Sequence, residues 1–529
     1  MTNPEPEGDR RSFASRTPIN TNPDQVVYRR GFVTRHQVSG WRFVMRRIAS
    51  GVALHDTRML VDPLRTQTRA VLVGMLILVT AAAGCFVFSL IRPTGTAGSS
   101  PVLADRSTAA LYVRVGEQLH PVLNLTSARL IAGRAVNPTV VKSSALDRFP
   151  RGNLLGIPGA PERMVQTTSR DANWTVCDGV SGPAAGVTVI AGPTDSTGTR
   201  AAPLGAGHGV LVDNGTGTWL LWDGKRSAIN LADHAVTNAL GWSAETPAPR
   251  PIATGLFNAI PEAPALSAPS IPDAGKPPRF PLPVSAPVGA VVVSYATDNT
   301  MLYYAVLPDG LQPISAVLAA VLRNSNSYGL EQPPRLGADQ VARLPVSRLL
   351  DTTGYPNQRV SLVDATRNPL TCARWSKPAG AAASSLTLLS GAMLPVPETV
   401  RTVDLVGGGA AGSATRVALS PGIGYFVQTV GQGPAAPASG SLFWVSDVGV
   451  RYGIDDTPDA VGHVKTVEAL GLNPPPLPIP WSMLSLFASG PTLSRPDALV
   501  AHDALPPDPR SGRPAAAPGV SAASGRESR

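Results

Sequence analysis

The residue types that most often carry catalysis or bind metals are sparse and scattered in this chain. No two histidines, and no histidine and cysteine, have the close spacing of a zinc site, and neither HExxH nor GxSxG occurs. His120 and His234 fall at non-equivalent positions of the repeated pattern described below, which favours structural or surface roles over catalysis. The seven histidines are His36, His55, His120, His208, His234, His463 and His502. We predict no catalytic residue and no metal site.

One glycine-rich stretch resembles a nucleotide-binding loop but lacks what must follow it. Gly407, Gly409 and Gly412 spell GxGxxG after the strand-like TVDLV. A dinucleotide site requires a helix next, whose N-terminus holds the pyrophosphate. Here SATRVALSP predicts a short strand that ends at Pro421. We interpret the stretch as a glycine-rich hairpin loop.

A second stretch, WDGKRS, resembles the end of a phosphate-binding P-loop. The motif requires its first glycine where Trp219 stands, and Ser or Thr where Arg226 stands. We therefore predict that Gly224 and Lys225 form a turn between two strands. No cofactor is predicted, and ATP enters only through the family resemblance given below.

An uncharged run of 22 residues, 70–91, determines how the chain is organised. As a helix it would be roughly 33 Å long, about the thickness of a bilayer's hydrocarbon core. A signal peptide would be shorter and nearer the N-terminus. A buried core helix is the alternative, but few soluble helices are apolar on every face for six turns. We interpret the run as a permanent membrane anchor.

Basic residues are distributed unequally about this anchor. Residues 1–69 contain twelve Arg, no Lys and six acidic residues, whereas residues 92–529 contain 33 basic and 30 acidic ones. The positive-inside bias predicts a cytoplasmic N-terminus and a body on the outer side of the membrane. No basic stretch is interleaved with aromatic residues, so nucleic-acid binding is not predicted.

The three cysteines agree with this orientation. Cys85 lies in the anchor, while Cys177 and Cys372 lie in the strand-like contexts NWTVCDG and LTCARW. An exported body favours a disulfide between Cys177 and Cys372, and two separate buried thiols are the alternative. Closing so long a loop would stabilise the fold by about 4–5 kcal/mol on the chain-entropy model.

An amphipathic helix is predicted before the anchor, at about residues 34–52. Thr34 and Gln37 have the spacing of a capping box. Apolar residues then recur at intervals of three and four up to Val52 and form one stripe, with basic residues largely on other faces. Such a helix lies on a membrane or docks on a neighbouring subunit, unless a local core makes it an ordinary surface helix. The residues predicted for partner docking are Val38, Trp41, Arg42, Met45, Arg46 and Ile48.

The sequence of the body, about residues 92–505, predicts a large α+β domain. Four segments share a pattern of aromatic-bearing strand, turn, second strand and short helix, at about 111–133, 218–241, 301–324 and 441–472. The cysteine-bearing pieces, about 173–193 and 361–389, predict a mainly β central domain. The proline-rich connection 246–287 is expected to form neither helix nor central strand and to run extended over the surface. The ends, about 1–27 and 506–529, have the composition of disordered segments.

The motifs resemble the EccB family, the single-span component of mycobacterial type VII (ESX) secretion systems. The matching stretches include RHQVSGWRFVMRR, ALYVRVGEQLHPVLNLTSARLIAG, WTVCDG, GTWLLWDGKRSAINLADHAV, TCARW and LGLNPPPLPIPWSMLSLFASGPTLS. RMVQTTSRDANWTVCDG is most similar to the paralogue of the third ESX system. The resemblance implies a structural role in an inner-membrane core complex beside EccC, EccD and EccE. It also implies a periplasmic domain of four repeats, related to a phage-lysin wall-binding fold, around a core with one disulfide.

Three hypotheses for function follow. The first is a scaffold that docks through its N-terminal helix and dimerises or oligomerises through its body. The second is an ATPase, since the family carries an ATP-hydrolase label, although no Walker motif occurs in the sequence. The third is a cell-wall-binding anchor, in which Trp222 and Trp444 would stack on sugars. Core packing is the favoured interpretation of both tryptophans.

Overall fold

The structure is a computed structural model that describes residues 34–55, 63–91, 97–242, 246–409, 412–457 and 465–505. The chain divides into two compact units, Met1–Thr94 and Gly95–Arg529, which are described separately. The terminal segments predicted to be disordered lie largely outside the described residues, as does His463.

The helices of the smaller unit are α1 (Arg35–Leu54) and α2 (Pro63–Ile91). In the larger unit the helices are short and connect strands. They are α3 (Leu125–Ala132), α4 (Ser143–Leu146), α5 (His234–Leu240), α6 (Thr254–Ala259), α7 (Ala316–Ser325), α8 (Ala338–Arg343), α9 (Thr466–Leu470), α10 (Trp481–Leu484) and α11 (Arg495–Ala498). A 3₁₀ turn covers Gly182–Ala184.

Strands make up most of the larger unit. Those in the first half are β1 (Val102–Asp105), β2 (Leu111–Val115), β3 (Gln118–Val122), β4 (Thr139–Val141), β5 (Leu154–Leu155), β6 (Ala172–Gly179), β7 (Gly186–Ala191), β8 (Ala202–Pro203), β9 (His208–Asp213), β10 (Thr218–Trp222), β11 (Lys225–Ile229), β12 (Arg250–Pro251) and β13 (Glu262–Leu266). Those in the second half are β14 (Val291–Tyr295), β15 (Met301–Leu307), β16 (Gly310–Ile314), β17 (Ser361–Leu362), β18 (Leu370–Lys377), β19 (Ser385–Gly391), β20 (Thr402–Asp404), β21 (Arg416–Ala418), β22 (Tyr425–Val430), β23 (Leu442–Val445), β24 (Val450–Ile454), β25 (Leu477–Pro480), β26 (Ala488–Ser489) and β27 (Ala501–His502).

One topology recurs in four segments, which we call modules 1 to 4 (102–155, 208–266, 291–347 and 425–489). Each has a three-stranded antiparallel meander, a helix, a strand parallel to the first strand, a second short helix, and a strand parallel to the third. Module 1 runs β1–β2–β3, α3, β4, α4, β5, and modules 2 and 4 repeat this order. In module 3 single bridges, Val293 to Arg335 and Leu311 to Val346, replace the two parallel strands. The pattern predicted from the sequence covered only the second and third strands and the first helix of each module.

The first helices of modules 1, 2 and 3 begin at residues whose side chains cap them, and those of modules 1 and 2 end at a glycine. The side chains of Asn124, Asp233 and Ser315 accept hydrogen bonds from backbone N–H groups of the first turns of α3, α5 and α7. These bonds satisfy donors that have no partner inside the helix. Gly133 and Gly241 then end α3 and α5 in the left-handed conformation, which a residue without a Cβ adopts at little cost.

The cysteine-bearing strands form the centre of a seven-stranded sheet of order β20-β21-β7-β6-β18-β19-β8. Cys177 on β6 and Cys372 on β18 are directly opposite each other, and their sulfurs are bonded at 2.07 Å. Both residues are fully buried. The predicted disulfide is confirmed, and it joins positions 195 residues apart in the sequence.

The modules pack in pairs around this sheet. Modules 1 and 4 share one hydrophobic core, to which α3 and α9 contribute, and modules 2 and 3 share another, to which α5 and α7 contribute. A third core lies between the central sheet and modules 2 and 4. The last strand, β27, pairs with β5 of module 1. The larger unit is therefore one continuous assembly.

The proline-rich segment departs from its prediction in one stretch. The expectation that residues 246–287 form no helix is wrong, because α6 occupies Thr254–Ala259. Residues 252–260 contain no proline, and Leu256 and Ala259 are buried in the central core. The strands β12 and β13 lie at the two ends of the five-strand order of their sheet, as expected for proline-bearing strands. Residues 277–287 contain neither helix nor strand.

The disulfide gives a simple test of the fold. We expect the Cys177→Ser chain to migrate more slowly than the wild type on a non-reducing gel, because a closed loop makes the denatured chain more compact. Its free energy of unfolding should fall by up to about 5 kcal/mol on the chain-entropy model. With reductant the two chains should migrate together.

The matched control is Cys85→Ser, since Cys85 is a free thiol. It should migrate like the wild type with and without reductant. A wild-type chain whose mobility is unchanged by reductant would contradict the disulfide.

Candidate functional site

Helix α1 carries the predicted docking residues, and its start follows from its sequence. Thr34 accepts a hydrogen bond from the Gln37 amide, and the Gln37 side chain accepts one from the Thr34 amide at 2.9 Å. This reciprocal capping box satisfies two donors at the N-terminus of the helix. His55 ends the helix in the left-handed conformation. The predicted start at Thr34 is confirmed.

The apolar stripe of α1 is uncovered within the described part of the smaller unit. Val38, Trp41, Met45 and Ile48 recur every three or four residues, so they lie on one face. All four are exposed, and the Trp41 side chain is 65% accessible. Arg42 and Arg46, one turn apart, lie on the neighbouring face. The geometry brings the six predicted docking residues onto one helix, and what covers them stays a prediction.

Helix α2 has the length and composition of a membrane span. Gln67–Phe88 forms 22 residues of mean hydropathy 2.6, with none of its side chains buried. The helix begins at Pro63, seven residues before the uncharged run. Cys85 is exposed on this helix, as expected for a residue that faces lipid or a neighbouring helix.

The two glycine-rich stretches fold as the sequence predicts. Strands β20 and β21 pair antiparallel on either side of Gly407 and Gly412, so a strand and not a helix follows the loop. Asp223 and Gly224, both with positive φ, form the turn between β10 and β11. Among the described residues of the two stretches, no α-helix begins where it could present its N-terminus to a phosphate.

Other candidate residues have structural roles. The His120 ring Nδ1 lies 2.9 Å from the Asn153 carbonyl oxygen, and His234 is the first residue of α5. Trp222 and Trp444 are 5% and 1% exposed and lie in module cores, so core packing is the correct interpretation of both. No group of three or more His, Cys, Asp or Glu suited to a metal ion occurs among the residues that the structure describes.

A buried ion pair that sequence reasoning missed connects module 2 to the central sheet. The guanidinium of Arg250 lies 3.1 Å from the Asp178 carboxylate and also donates to Thr371 Oγ1 at 2.7 Å and to the carbonyl oxygen of Pro369. Asp178 also accepts from the Ala253 amide at 3.1 Å. Burial raises the pKa of Asp178, against the opposing effects of the Ala253 amide and Arg250. Nothing in the sequence indicates that Arg250 is buried, because it stands among prolines in a segment predicted to lie on the surface.

Comparison with known proteins identifies the family. Residues 30–507 match the family model described as "Type VII secretion system ESX-1, transport TM domain B". The chain belongs to the EccB family of type VII secretion systems. It is 72% identical over 525 residues to the Mycobacterium tuberculosis (strain H37Rv) protein named "ESX-3 secretion system ATPase EccB3", covering 97% of each chain. The predicted resemblance to the third ESX paralogue is confirmed.

Chains in solved structures of ESX complexes have the same fold. An EccB3 dimer from the ESX-3 core complex is 63% identical, with a TM-score of 0.68, and the match covers 76% of this chain and 100% of that one. A chain of the intact ESX-5 inner membrane complex is 37% identical, with a TM-score of 0.70, and the match covers 93% and 99% of the two chains. The predicted architecture, with one apolar helix and a large α+β domain, is confirmed at this level.

The Arg250–Asp178 pair makes a testable contribution to stability. We expect Arg250→Met to lower the free energy of unfolding by about 3–5 kcal/mol, because it leaves a buried carboxylate without its counter-charge. Asp178 has a pKa raised in the folded state, so its ionisation opposes folding and the penalty grows as pH rises through that pKa. The deficit of the variant should therefore shrink as pH is lowered. Denaturant titration of the purified chain at several pH values measures both effects.

The matched control is Arg279→Met, because the Arg279–Asp273 pair is largely exposed at 2.9 Å. This substitution should lower the free energy of unfolding by no more than about 1 kcal/mol. Equal losses for the two variants would contradict the role given to burial.

Proposed function

We propose that this chain is a structural subunit of an ESX inner-membrane complex, which it holds together from both sides of the membrane. The uncovered apolar stripe of α1 carries the proposal. A capped helix with four exposed apolar side chains on one face is stable only where something covers that face. The solved relatives belong to such membrane complexes, which supports a protein partner.

We propose that α1 lies in the cytoplasm and the larger unit in the periplasm. The excess of arginine before α2 favours this orientation. The disulfide in the larger unit supports it, because such bonds persist in oxidising compartments.

The proposed partners are of two kinds. The family resemblance implies EccC, EccD and EccE as neighbours of the N-terminal helix in the membrane complex. A second copy of this chain is the proposed partner of the larger unit, since a relative 63% identical has been solved as a dimer.

The expected contacts of α1 follow from its side chains. Trp41 offers a large apolar surface and an indole N–H, the combination most often found at the energetic centre of an interface. Arg42 and Arg46 beside it suit acidic partner groups at the rim of that interface. The larger unit, built from shared cores, supplies a rigid body at the other end of the anchor.

ATP hydrolysis is proposed not to reside in this chain, although the curated relatives are named ATPases. Trp219 stands where a P-loop needs its first glycine, and Lys225 donates to the Thr353 carbonyl oxygen at 3.0 Å. A strand follows the GxGxxG stretch. No cofactor is part of the proposed function.

The docking role is tested by placing charge in the stripe. Trp41→Asp with Met45→Asp should release the chain from the detergent-solubilised complex, because two carboxylates would be buried without partners. Co-purification with an affinity-tagged partner subunit measures the effect. A dissociation constant raised at least about 30-fold corresponds to a hot spot of 2 kcal/mol.

The matched control is His36→Asp with Ser39→Asp, which adds the same two carboxylates off the stripe of the same helix. This variant should co-purify as the wild type does. Equal retention of both variants would refute docking through the stripe.

The ATP proposal predicts that phosphate release does not follow the purified chain through successive columns. Lys225→Ala should leave any residual rate unchanged, since this lysine bonds to a backbone carbonyl oxygen. Activity that elutes with the chain, and that one substitution abolishes, would show the opposite.

A further inference from the structure

The surplus positive charge of the larger unit lies in the segment nearest the anchor. Residues 97–163 contain eight basic and four acidic residues. Residues 164–529 contain 24 basic and 26 acidic residues. The region around module 1 is therefore the basic part of an otherwise nearly neutral body.

Module 1 has one face covered and one open. On the first face α3 packs into the core that module 1 shares with module 4. On the other face α4 packs over a small core formed by Leu103, Leu119, Val141 and Leu146. We call this second surface the α4 face.

Three basic residues on the α4 face are exposed. The Arg106 amide donates to the Val141 carbonyl oxygen at 2.9 Å, which places Arg106 beside Lys142 at the start of α4. Arg148 follows the end of the same short helix. All three are exposed, and each can turn its charge toward a neighbouring surface.

Two further arginines on this face pack against aromatic rings. The Arg114 guanidinium lies 4.5 Å from the Phe149 ring centre, and that of Arg151 lies 4.9 Å from the ring centre of Tyr112. These two basic residues fix the shape of the face and add to its charge.

The acidic groups near this face offset the charge only in part. Asp105 is buried and accepts hydrogen bonds from Ser107 and Ser143, which lower its pKa. Asp147 pairs with Arg151 at 3.1 Å. Glu117 lies in the turn between β2 and β3. Five basic residues thus stand against three acidic ones.

The chain reaches module 1 on this same face. Ala97 packs against the core beneath α4, and the Gly98 carbonyl oxygen accepts from Arg114 at 3.4 Å. Helix α2 ends at Ile91. The six residue steps from Ile91 to Ala97 can span at most about 21 Å. Covalent connection alone keeps Ala97, at the edge of the α4 face, within that distance of Ile91.

We propose that the α4 face of module 1 binds the anionic phospholipid surface of the membrane that α2 spans. Each basic side chain near an anionic surface contributes about a five-fold preference for contact. Arg106, Lys142 and Arg148 together supply about a hundred-fold preference. The contact fixes the orientation of the body above the membrane. It rests on α2 crossing a membrane and is independent of docking by α1.

The test measures how close α4 comes to lipid headgroups in the full chain. A fluorophore is attached at Ser144→Cys in a Cys85→Ser background, because Ser144 is an exposed residue of α4. The chain is reconstituted in nanodiscs containing a headgroup-labelled quencher lipid, in phosphatidylcholine alone or with about 30 mol % phosphatidylglycerol. We expect stronger quenching in the anionic discs, and its loss at about 1 M salt, where screening acts within about 3 Å.

The residues are tested by charge reversal. Arg106→Glu, Lys142→Glu and Arg148→Glu together should reduce quenching in anionic discs to the phosphatidylcholine level. The matched control, Arg134→Glu, Arg348→Glu and Arg401→Glu, makes the same charge change at exposed positions elsewhere and should keep the wild-type quenching. The neutral variant Arg106→Gln, Lys142→Gln, Arg148→Gln should lose about a hundred-fold in preference for the anionic surface. It replaces the Glu variant in the test if that variant does not fold.

Three results would overturn the proposal. One is equal quenching in the two kinds of disc. Another is quenching that the Glu and Gln variants leave unchanged. The third is a Glu variant that no longer dimerises but is quenched as strongly as the wild type, which would make this face a protein interface. The Trp41→Asp, Met45→Asp variant should quench as the wild type does, so failure of α1 docking and failure of this contact are distinguishable.

Discussion

The pairing of β6 with β18 is the interaction on which the larger unit depends. Eight residues of each strand are in register, and the disulfide joins Cys177 and Cys372 at the third paired position from one end. Successive residues of a strand point to opposite faces. Cys177 therefore links the two strands on one face of the sheet, while Asp178 holds Arg250 of module 2 on the other. From the same strand, the Trp174 indole donates to the Pro478 carbonyl oxygen of module 4 at 2.9 Å.

The paired modules extend this fixed centre outward. Because modules 1 and 4 share a core, as do modules 2 and 3, no module can turn without breaking apolar contacts with another. A subunit that braces a membrane complex needs this property more than it needs a cavity. The repeated topology provides it with small units, each of which completes its largest core against a neighbouring module.

Local patterns in the sequence were sufficient to predict the local structure. The start of α1 at Thr34, the cap of α7 at Ser315 and the turn at Gly224 each depend on a few neighbouring residues. The disulfide could be predicted because only two cysteines lie beyond the anchor. The role of the buried Arg250 could not be predicted, since its partners Asp178 and Thr371 are 72 and 121 residues away in the sequence. The two parallel strands of each module were missed because each pairs with a strand from which a helix separates it in the sequence. The first strand of each module was also missed, although it pairs with the next strand in the sequence.

The closing strand β27 has a consequence for how the body is made. Its partner β5 belongs to the first module to be synthesised, and the module 1 core is completed by residues of module 4. At synthesis rates of 5–20 residues per second, roughly 20–70 s separate the appearance of β5 from that of β27. During that interval the outer edge of β5, and the part of the α3 surface that module 4 later covers, have no partner from their own chain. The fold of the body is therefore completed only after the C-terminal segment has been synthesised, and a chain cut short before β27 leaves an open sheet edge at its first module.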